Sequence, residues 1–79
     1  MRIQVLFFAG LRERVGSAGQ ELSLPDGATV ADAWSCSAGD NVLSDNVLAA
    51  RNMEYVAFSS ELSDGDEVAF FPPVTGGAG

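Results

Sequence analysis

Short apolar runs, separated by glycine, proline, asparagine and aspartate, recur along this chain. Runs of this kind that are rich in Val, Ile, Phe and Tyr predict β-strands. The predicted strands are Arg2–Phe8, Gln20–Leu24, Val47–Arg51, Tyr55–Phe58 and Glu67–Phe71. The intervening turn signals are Pro25–Gly27, Asn52–Glu54 and Asp64–Asp66, where glycine and short polar side chains suit tight turns.

The first strand alternates at its start and then becomes continuously apolar, which is typical of a strand that ends well buried. Because successive side chains point to opposite faces, Ile3, Val5 and Phe7 would share one face. Leu6 and Phe8 would share the other. The first and last strands are both almost wholly apolar, so we place them side by side at the centre of a sheet.

The main helix is predicted to begin at Thr29. This residue suits a helix N-cap, and Asp32 three residues later makes an imperfect capping box with a negative charge in the first turn. Val30, Ala33 and Trp34 follow at helical spacing, which predicts about two turns.

The element order is strand, strand, helix, then returning strands, with one further helical turn predicted at Leu11–Val15. A helix crossing one face of a mixed sheet in this order is the single-domain β-grasp layout of the α+β class. The chain has ample length for a right-handed crossover between the first and last strands. Gly39 is the candidate stop of the main helix. The predicted core residues are Val5, Phe7, Trp34 and Val68.

Composition fits one small globular domain: 47% of the 79 residues are hydrophobic and 19% are charged. The formal charge is −7, from eleven acids, four arginines and no lysine. Nucleic-acid binding needs Lys and Arg to neutralise phosphates, so this charge argues against that partner and suits a basic protein surface. With no membrane-spanning apolar run and no secretory signal, we expect a cytoplasmic protein that does not bind membranes.

Cys36 is the only cysteine, and the chain has no histidine. One thiol cannot form an internal disulfide, and one Cys without His cannot build a metal cluster. No histidine is present to activate the thiol or to act as a general base. We therefore predict that Cys36 is a small buried residue and that this chain binds no metal and no cofactor.

The C-terminal residues are predicted to form a thin arm. Pro72–Pro73 ends the last strand because proline has no N–H and restricts the residue before it. Val74–Gly79 is too small to pack a core and could reach roughly 20 Å when extended. Glycine lets a backbone approach another surface closely, so the arm suits a narrow active site on another protein. We predict a domain at 1–73 and a tail at 74–79; a frayed terminus is the alternative.

Two stretches resemble the small subunit of molybdopterin synthase, a family of ubiquitin-like β-grasp sulfur carriers. They are Val5–Ala9 with Leu11–Glu13, and Leu62–Gly77. The Phe-Phe-Pro-Pro run in the second stretch separates this family from the thiazole-pathway sulfur carriers, which share the fold and the Gly-Gly ending. The resemblance spans essentially the whole chain and is weakest from Ser35 to Asp45.

The resemblance implies that the protein is a carrier and that it is not catalytic by itself. In this family an E1-like adenylyltransferase uses ATP to adenylate the C-terminal glycine carboxylate, and a sulfur donor replaces AMP to leave a thiocarboxylate. The large subunit then receives the arm, and the thiocarboxylate donates sulfur to cyclic pyranopterin monophosphate. The family works as a heterotetramer of two small and two large subunits. Gly77, after Gly76, matches the sulfur-carrying glycine.

The family pattern stops at Gly77, whereas this chain continues with Ala78–Gly79. We favour proteolytic removal of these two residues, which would expose the Gly77 carboxylate. Activation of Gly79 itself and an artificial extension remain alternatives.

Partner contacts are expected at the base of the arm. Consecutive strand residues face opposite ways, so we assign Phe70 to the core and Phe71 to a partner interface. The other expected partner contacts are Pro72, Pro73, Val74, Thr75 and Arg12, although Arg12 also fits a simply solvated side chain.

Rival functions from other classes stay open. A sulfur carrier for thiamine thiazole synthesis would share the fold and the activation chemistry. A ubiquitin-like protein modifier would form isopeptide adducts, although the absence of lysine leaves only the Met1 α-amino group for self-conjugation. A plain interaction module would be indifferent to truncation of Gly76–Gly77.

Overall fold

A computed structural model describes residues 1–38 and 47–72 of the chain. Within these ranges the strands are β1 (Arg2–Phe7), β2 (Gly19–Ser23), β3 (Leu48–Arg51), β4 (Glu54–Val56) and β5 (Glu67–Phe71). The helices of the same ranges are α1 (Gly10–Val15) and α2 (Val30–Ala38). This order confirms the predicted α+β, β-grasp layout. Gly39 and the tail 74–79 lie outside the described residues.

The strands form one mixed sheet in the order β2-β1-β5-β3-β4. β1 and β5 are parallel neighbours, with Val5 beside Val68 and Phe7 beside Phe70. The pairs β1–β2, β3–β5 and β3–β4 are antiparallel. The first and last strands therefore lie side by side within the sheet, as predicted, and β5 ends between β1 and β3.

The predicted core residues are all buried: Val5, Phe7, Trp34 and Val68 are 0%, 1%, 3% and 0% exposed. Trp34 of α2 meets the rings of Phe7 and Phe70 edge-on, with centroids 6.3 and 4.9 Å away. Edge-to-face aromatic pairs contribute about 0.5–1.5 kcal/mol beyond their buried area. Through Trp34, α2 therefore packs against both central strands and covers this face of the sheet.

The start of α2 confirms the capping prediction. The Thr29 N–H donates to Oδ2 of Asp32 at 2.8 Å, and the Asp32 N–H donates to Oγ1 of Thr29 at 3.3 Å. This reciprocal pair is a capping box in which aspartate replaces the usual glutamate. It satisfies backbone donors that the first helical turn leaves without a partner.

The turns form where they were predicted. Gly27 and Gly65 have φ values of +86° and +88°, which glycine adopts without steric cost. In the β3–β4 hairpin, Asn52 and Met53 lie between the paired residues Arg51 and Glu54. Their φ values of +49° and +72° are the positive values that a type I′ turn requires.

Two expectations were wrong. Cys36 is exposed, because the buried face of α2 is formed by Val30, Ala33, Trp34, Ser37 and Ala38. The lack of a histidine does not determine which face of a helix a thiol occupies. The first strand was also predicted to end at a well-buried Phe8, whereas β1 ends at Phe7 and Phe8 is 37% exposed. Helix α2 covers the Phe7 face and leaves the Phe8 face to solvent.

None of the helices in the described ranges has the length and apolar character needed to cross a membrane.

Candidate functional site

The face of the sheet opposite α2 carries a group of apolar side chains around the end of β5. We call this surface the open face, and its members are Leu6, Phe8, Met53, Tyr55, Ala69 and Phe71. They line a cavity of about 300 Å³, to which Ala50 and Glu67 also contribute. A contiguous apolar surface on a small domain is typical of a protein-interaction site.

The floor and the walls of this cavity come from different parts of the fold. Ala50 of β3 and Ala69 of β5 are paired across the sheet, and their small side chains leave space above them. Phe8 and Phe71 stand on one side, with ring centroids 5.0 Å apart and planes within 9°. This stacked pair shapes the cavity where β5 ends.

The β3–β4 hairpin forms the other side. Tyr55 is 74% exposed, and its ring centroid lies 6.1 Å from that of Phe71. Met53, at the turn, is 92% exposed. Exposed aromatic and methionine side chains around a central apolar pocket have the composition of an interface core.

The end of β5 is held on both sides. The Phe8 N–H donates to the Phe70 carbonyl at 3.1 Å, and Phe71 pairs with Leu48 at the start of β3. Ala9, with φ 51° and ψ −132°, then turns the first strand away into α1. The chain that continues through the half-buried Pro72 therefore starts from the edge of the open face.

Carboxylates near β5 have structural roles. Oδ1 of Asp64 accepts the Arg2 N–H at 2.7 Å, and Oδ1 of Asp66 accepts Nδ2–H of Asn52 at 2.9 Å. Oδ2 of Asp66 also accepts the Ser63 N–H at 2.8 Å. These bonds close the turn before β5 and join it to the β3–β4 hairpin. Across the described residues, no group of three or more His, Cys, Asp or Glu side chains could hold a metal ion.

The structure brings only part of the predicted site together. Phe70 is fully buried, whereas Phe71 is half-buried on the open face, which confirms their opposite orientations. Arg12 is exposed on α1 and is not among the residues lining the cavity. The other predicted site residues, Pro73, Val74, Thr75, Gly76 and Gly77, lie outside the described part of the chain and stay predictions.

Of the six open-face members, sequence reasoning identified only Phe71 as a site residue. It missed the other five, Leu6, Phe8, Met53, Tyr55 and Ala69. The alternation in the first strand already separated Phe8 from the core positions, and this signal could have identified it. Met53 lies in a predicted turn, where an apolar side chain has no structural reason to be. That mismatch was the available signal for the hairpin.

Comparison with known proteins agrees with the fold and the sequence motifs. The sequence profile of the ThiS family matches residues 5–77. The molybdopterin synthase sulfur carrier subunit of Escherichia coli is 46% identical, over 95% of this chain and 99% of that protein. The protein of the same name from Chlamydomonas reinhardtii is 40% identical, over 98% of this chain and 100% of that protein.

A solved structure shows the same architecture. The crystal structure of small archaeal modifier protein 1 from Haloferax volcanii has a TM-score of 0.79 and 31% identity, covering 98% of this chain and 100% of that chain. With matches over almost its whole length, the protein belongs to the ThiS family, shares the ubiquitin-like β-grasp fold, and is similar throughout to molybdopterin synthase sulfur carrier subunits.

Proposed function

We propose that this protein is the sulfur carrier subunit of a molybdopterin synthase and carries sulfur as a thiocarboxylate on its C-terminal glycine. The observation that carries the proposal is its 46% identity, over almost the whole chain, to a relative with that role in its name. The fold supports it, because the chain leaves β5 through Pro72 at the edge of the open face, an apolar surface that suits a partner.

The main group that the carrier must supply for this chemistry is an accessible C-terminal carboxylate. In the proposed sequence, a carboxylate oxygen attacks the α-phosphorus of ATP on an E1-like partner, forming an acyl adenylate and releasing pyrophosphate. A sulfide-level sulfur donor (HS⁻) then attacks the acyl carbon, the acyl C–O bond to AMP breaks, and AMP leaves with that electron pair, so that a thiocarboxylate remains. The chain has no histidine, so groups for proton transfer come from the partners.

We place the activated carboxylate at Gly77, after removal of Ala78–Gly79. The family match ends at Gly77, which supports this choice. The intact mass of protein matured by its own E1-like partner is the test. We expect a chain shortened by these two residues with one oxygen replaced by sulfur; the same replacement on the full-length chain would assign the role to Gly79.

The open face is the proposed docking surface for the large subunit. Phe71 and Pro72 lie where the arm begins, so docking there would aim Val74, Thr75 and Gly76 into the partner's active site. The net charge of −7 favours a partner with a basic surface around an apolar centre. A heterotetramer of two small and two large subunits is the proposed assembly.

The complete function is tested by reconstitution. The carrier is incubated with ATP, the E1-like partner and a sulfur donor, and its C-terminal peptide is analysed by mass. The product is then mixed with the large subunit and cyclic pyranopterin monophosphate, and molybdopterin formation is measured. A chain truncated before Gly76 is the control; unchanged activity of that control would favour a plain interaction module. Transfer to a thiazole synthase instead would favour the thiamine pathway.

A ubiquitin-like protein modifier is the second candidate, favoured by the structural similarity to small archaeal modifier protein 1. A modifier of other proteins would appear in isopeptide-linked species of higher mass that contain this chain. Chains of the protein on itself are not expected. It has no lysine, and its Met1 ammonium group donates to the Leu24 carbonyl at 2.7 Å.

A further inference from the structure

Met53 occupies a position that turn geometry does not explain. Its φ of +72° lies in the left-handed region, where glycine, asparagine and aspartate are the usual residues. The side chain is 92% exposed, so core packing does not explain it either. Its place at the rim of the open-face cavity explains the methionine, because Phe8, Tyr55 and Phe71 line the same cavity.

A thioether in this setting has two relevant properties. It is flexible and polarizable and makes favourable contacts with aromatic rings, which suits an interface. It is also oxidised by peroxides to a sulfoxide, a polar group that disrupts methionine-containing interfaces and that reductases convert back. At this rim, one oxidation would place a polar oxygen on an apolar docking surface.

We propose that Met53 is a reversible oxidation site that controls docking at the open face. The sulfur lone pair attacks one oxygen of hydrogen peroxide, an S–O bond forms, and the O–O bond breaks. The other oxygen leaves as water, the sulfur loses two electrons, and the peroxide gains them. A thiol-dependent methionine sulfoxide reductase restores the thioether. The identity of the docking partner, the large subunit, rests on the proposed function.

The fold separates this sulfur from the other two in the chain. Met1 is half-buried against the core, and its carbonyl accepts the Leu24 N–H at 2.8 Å. Cys36 is exposed, but it lies on α2, which covers the opposite face of the sheet. Oxidation of Cys36 would therefore not alter the open face, and Cys36→Ser removes it from the experiment.

The test uses the full-length Cys36→Ser protein, hydrogen peroxide and the large subunit. Peptide masses over time give the oxidation rates of the two methionines, and we expect Met53 to react several-fold faster than Met1. Calorimetry gives the Kd for the large subunit before peroxide, after it, and after treatment with the reductase. We expect binding to weaken roughly tenfold and then to recover, since an apolar contact becomes polar.

Two substitutions provide controls. Met53→Leu retains an apolar side chain without sulfur, so its Kd should not respond to peroxide. Met53→Gln imitates the polar sulfoxide, so it should bind about as weakly as the oxidised protein without any treatment. An equal peroxide response in Met53→Leu, or full affinity of protein carrying Met53 sulfoxide, would overturn the proposal.

Failure of the proposed function gives a different result. In that case the untreated protein does not bind the large subunit at all, which also ends the docking part of this inference. The oxidation rates still decide the chemical part, because equal rates for Met53 and Met1 would refute selective oxidation.

Discussion

The two faces of the sheet use the same strands, but one is sealed and the other is open. On β1 and β5 the sealed face has Val5, Phe7 and Phe70, which are 0%, 1% and 0% exposed. Solvent reaches Phe71, the next residue of β5, and Phe8, which directly follows the end of β1. Both sets are apolar, so hydrophobicity alone does not distinguish a core residue from an interface residue. The position of α2 does.

The largest expected difference in stability comes from truncating one phenylalanine on each face of the sheet. Phe70→Ala should cost about 3–5 kcal/mol of unfolding free energy, because it empties a site lined by aromatic rings. The rings of Phe7, Trp34 and Phe58 lie 5.9, 4.9 and 5.8 Å from that of Phe70. Phe71→Ala should cost only about 1 kcal/mol, since part of its surface is already hydrated.

Denaturant unfolding measures both effects, and calorimetry with the large subunit adds the second half of the prediction. Phe71→Ala is expected to weaken that binding while the domain stays folded. Equal losses of stability in the two variants would contradict the distinction between the faces.

A methyl group added on β2 tests how closely the strands pack. The Cβ of an alanine at Gly19 would lie 2.7 Å from the Val5 carbonyl oxygen and 3.0 Å from Cδ2 of Leu6. Relief of this overlap requires a backbone shift and a displaced open-face side chain, so Gly19→Ala should cost about 1–3 kcal/mol. Thermal unfolding is the measurement. Gly10→Ala is the matched control, because nothing lies within 4 Å of its added Cβ.

Removing the N-cap of α2 should destabilise the helix that covers the sealed face. Thr29→Ala removes the hydroxyl that accepts the Asp32 N–H, and such cap losses cost about 1 kcal/mol. Thr29→Ser keeps the hydroxyl and should restore most of the stability in chemical denaturation. A Ser variant as unstable as the Ala variant would show that the lost methyl, and not the cap, is responsible.

The smallest expected effect is a gain at the turn beside the open face. Ala9 has a φ of 51°, a strained value for a residue with a Cβ. Ala9→Gly relieves this strain but increases the entropy of the unfolded chain, so we expect a net gain of about 0.5 kcal/mol in equilibrium unfolding. Gly16→Ala is the opposite test, because Gly16 ends α1 with a φ of +83° and should lose stability.

The strands and the start of the main helix were predictable because their signals are local. Alternation identified β1, and a β-rich run between a turn and a proline gave the bounds of β5 without error. The Thr29–Asp32 pair is a short-range capping pattern and formed as expected. These features depend on a few neighbouring residues, so distant contacts did not change them.

The candidate site was less predictable. Phe71 was identified from alternation beside Phe70, but its stacking partner Phe8 is 63 positions earlier in the chain. Tyr55 and Met53 join them only because the β3–β4 hairpin lies beside β5 in the sheet. The prediction that Cys36 is buried was wrong for a related reason, since its exposure depends on which side of α2 faces the sheet.

The sequence by itself determined where the chain extends, turns and begins its main helix, and it contained the motifs of the ThiS family. Only the tertiary structure decided which apolar side chains remain at the surface. The physical reason is that strand alternation produces two apolar faces, whereas one helix can cover only one of them. The face left uncovered is the one at whose edge β5 ends and the chain continues to Pro72.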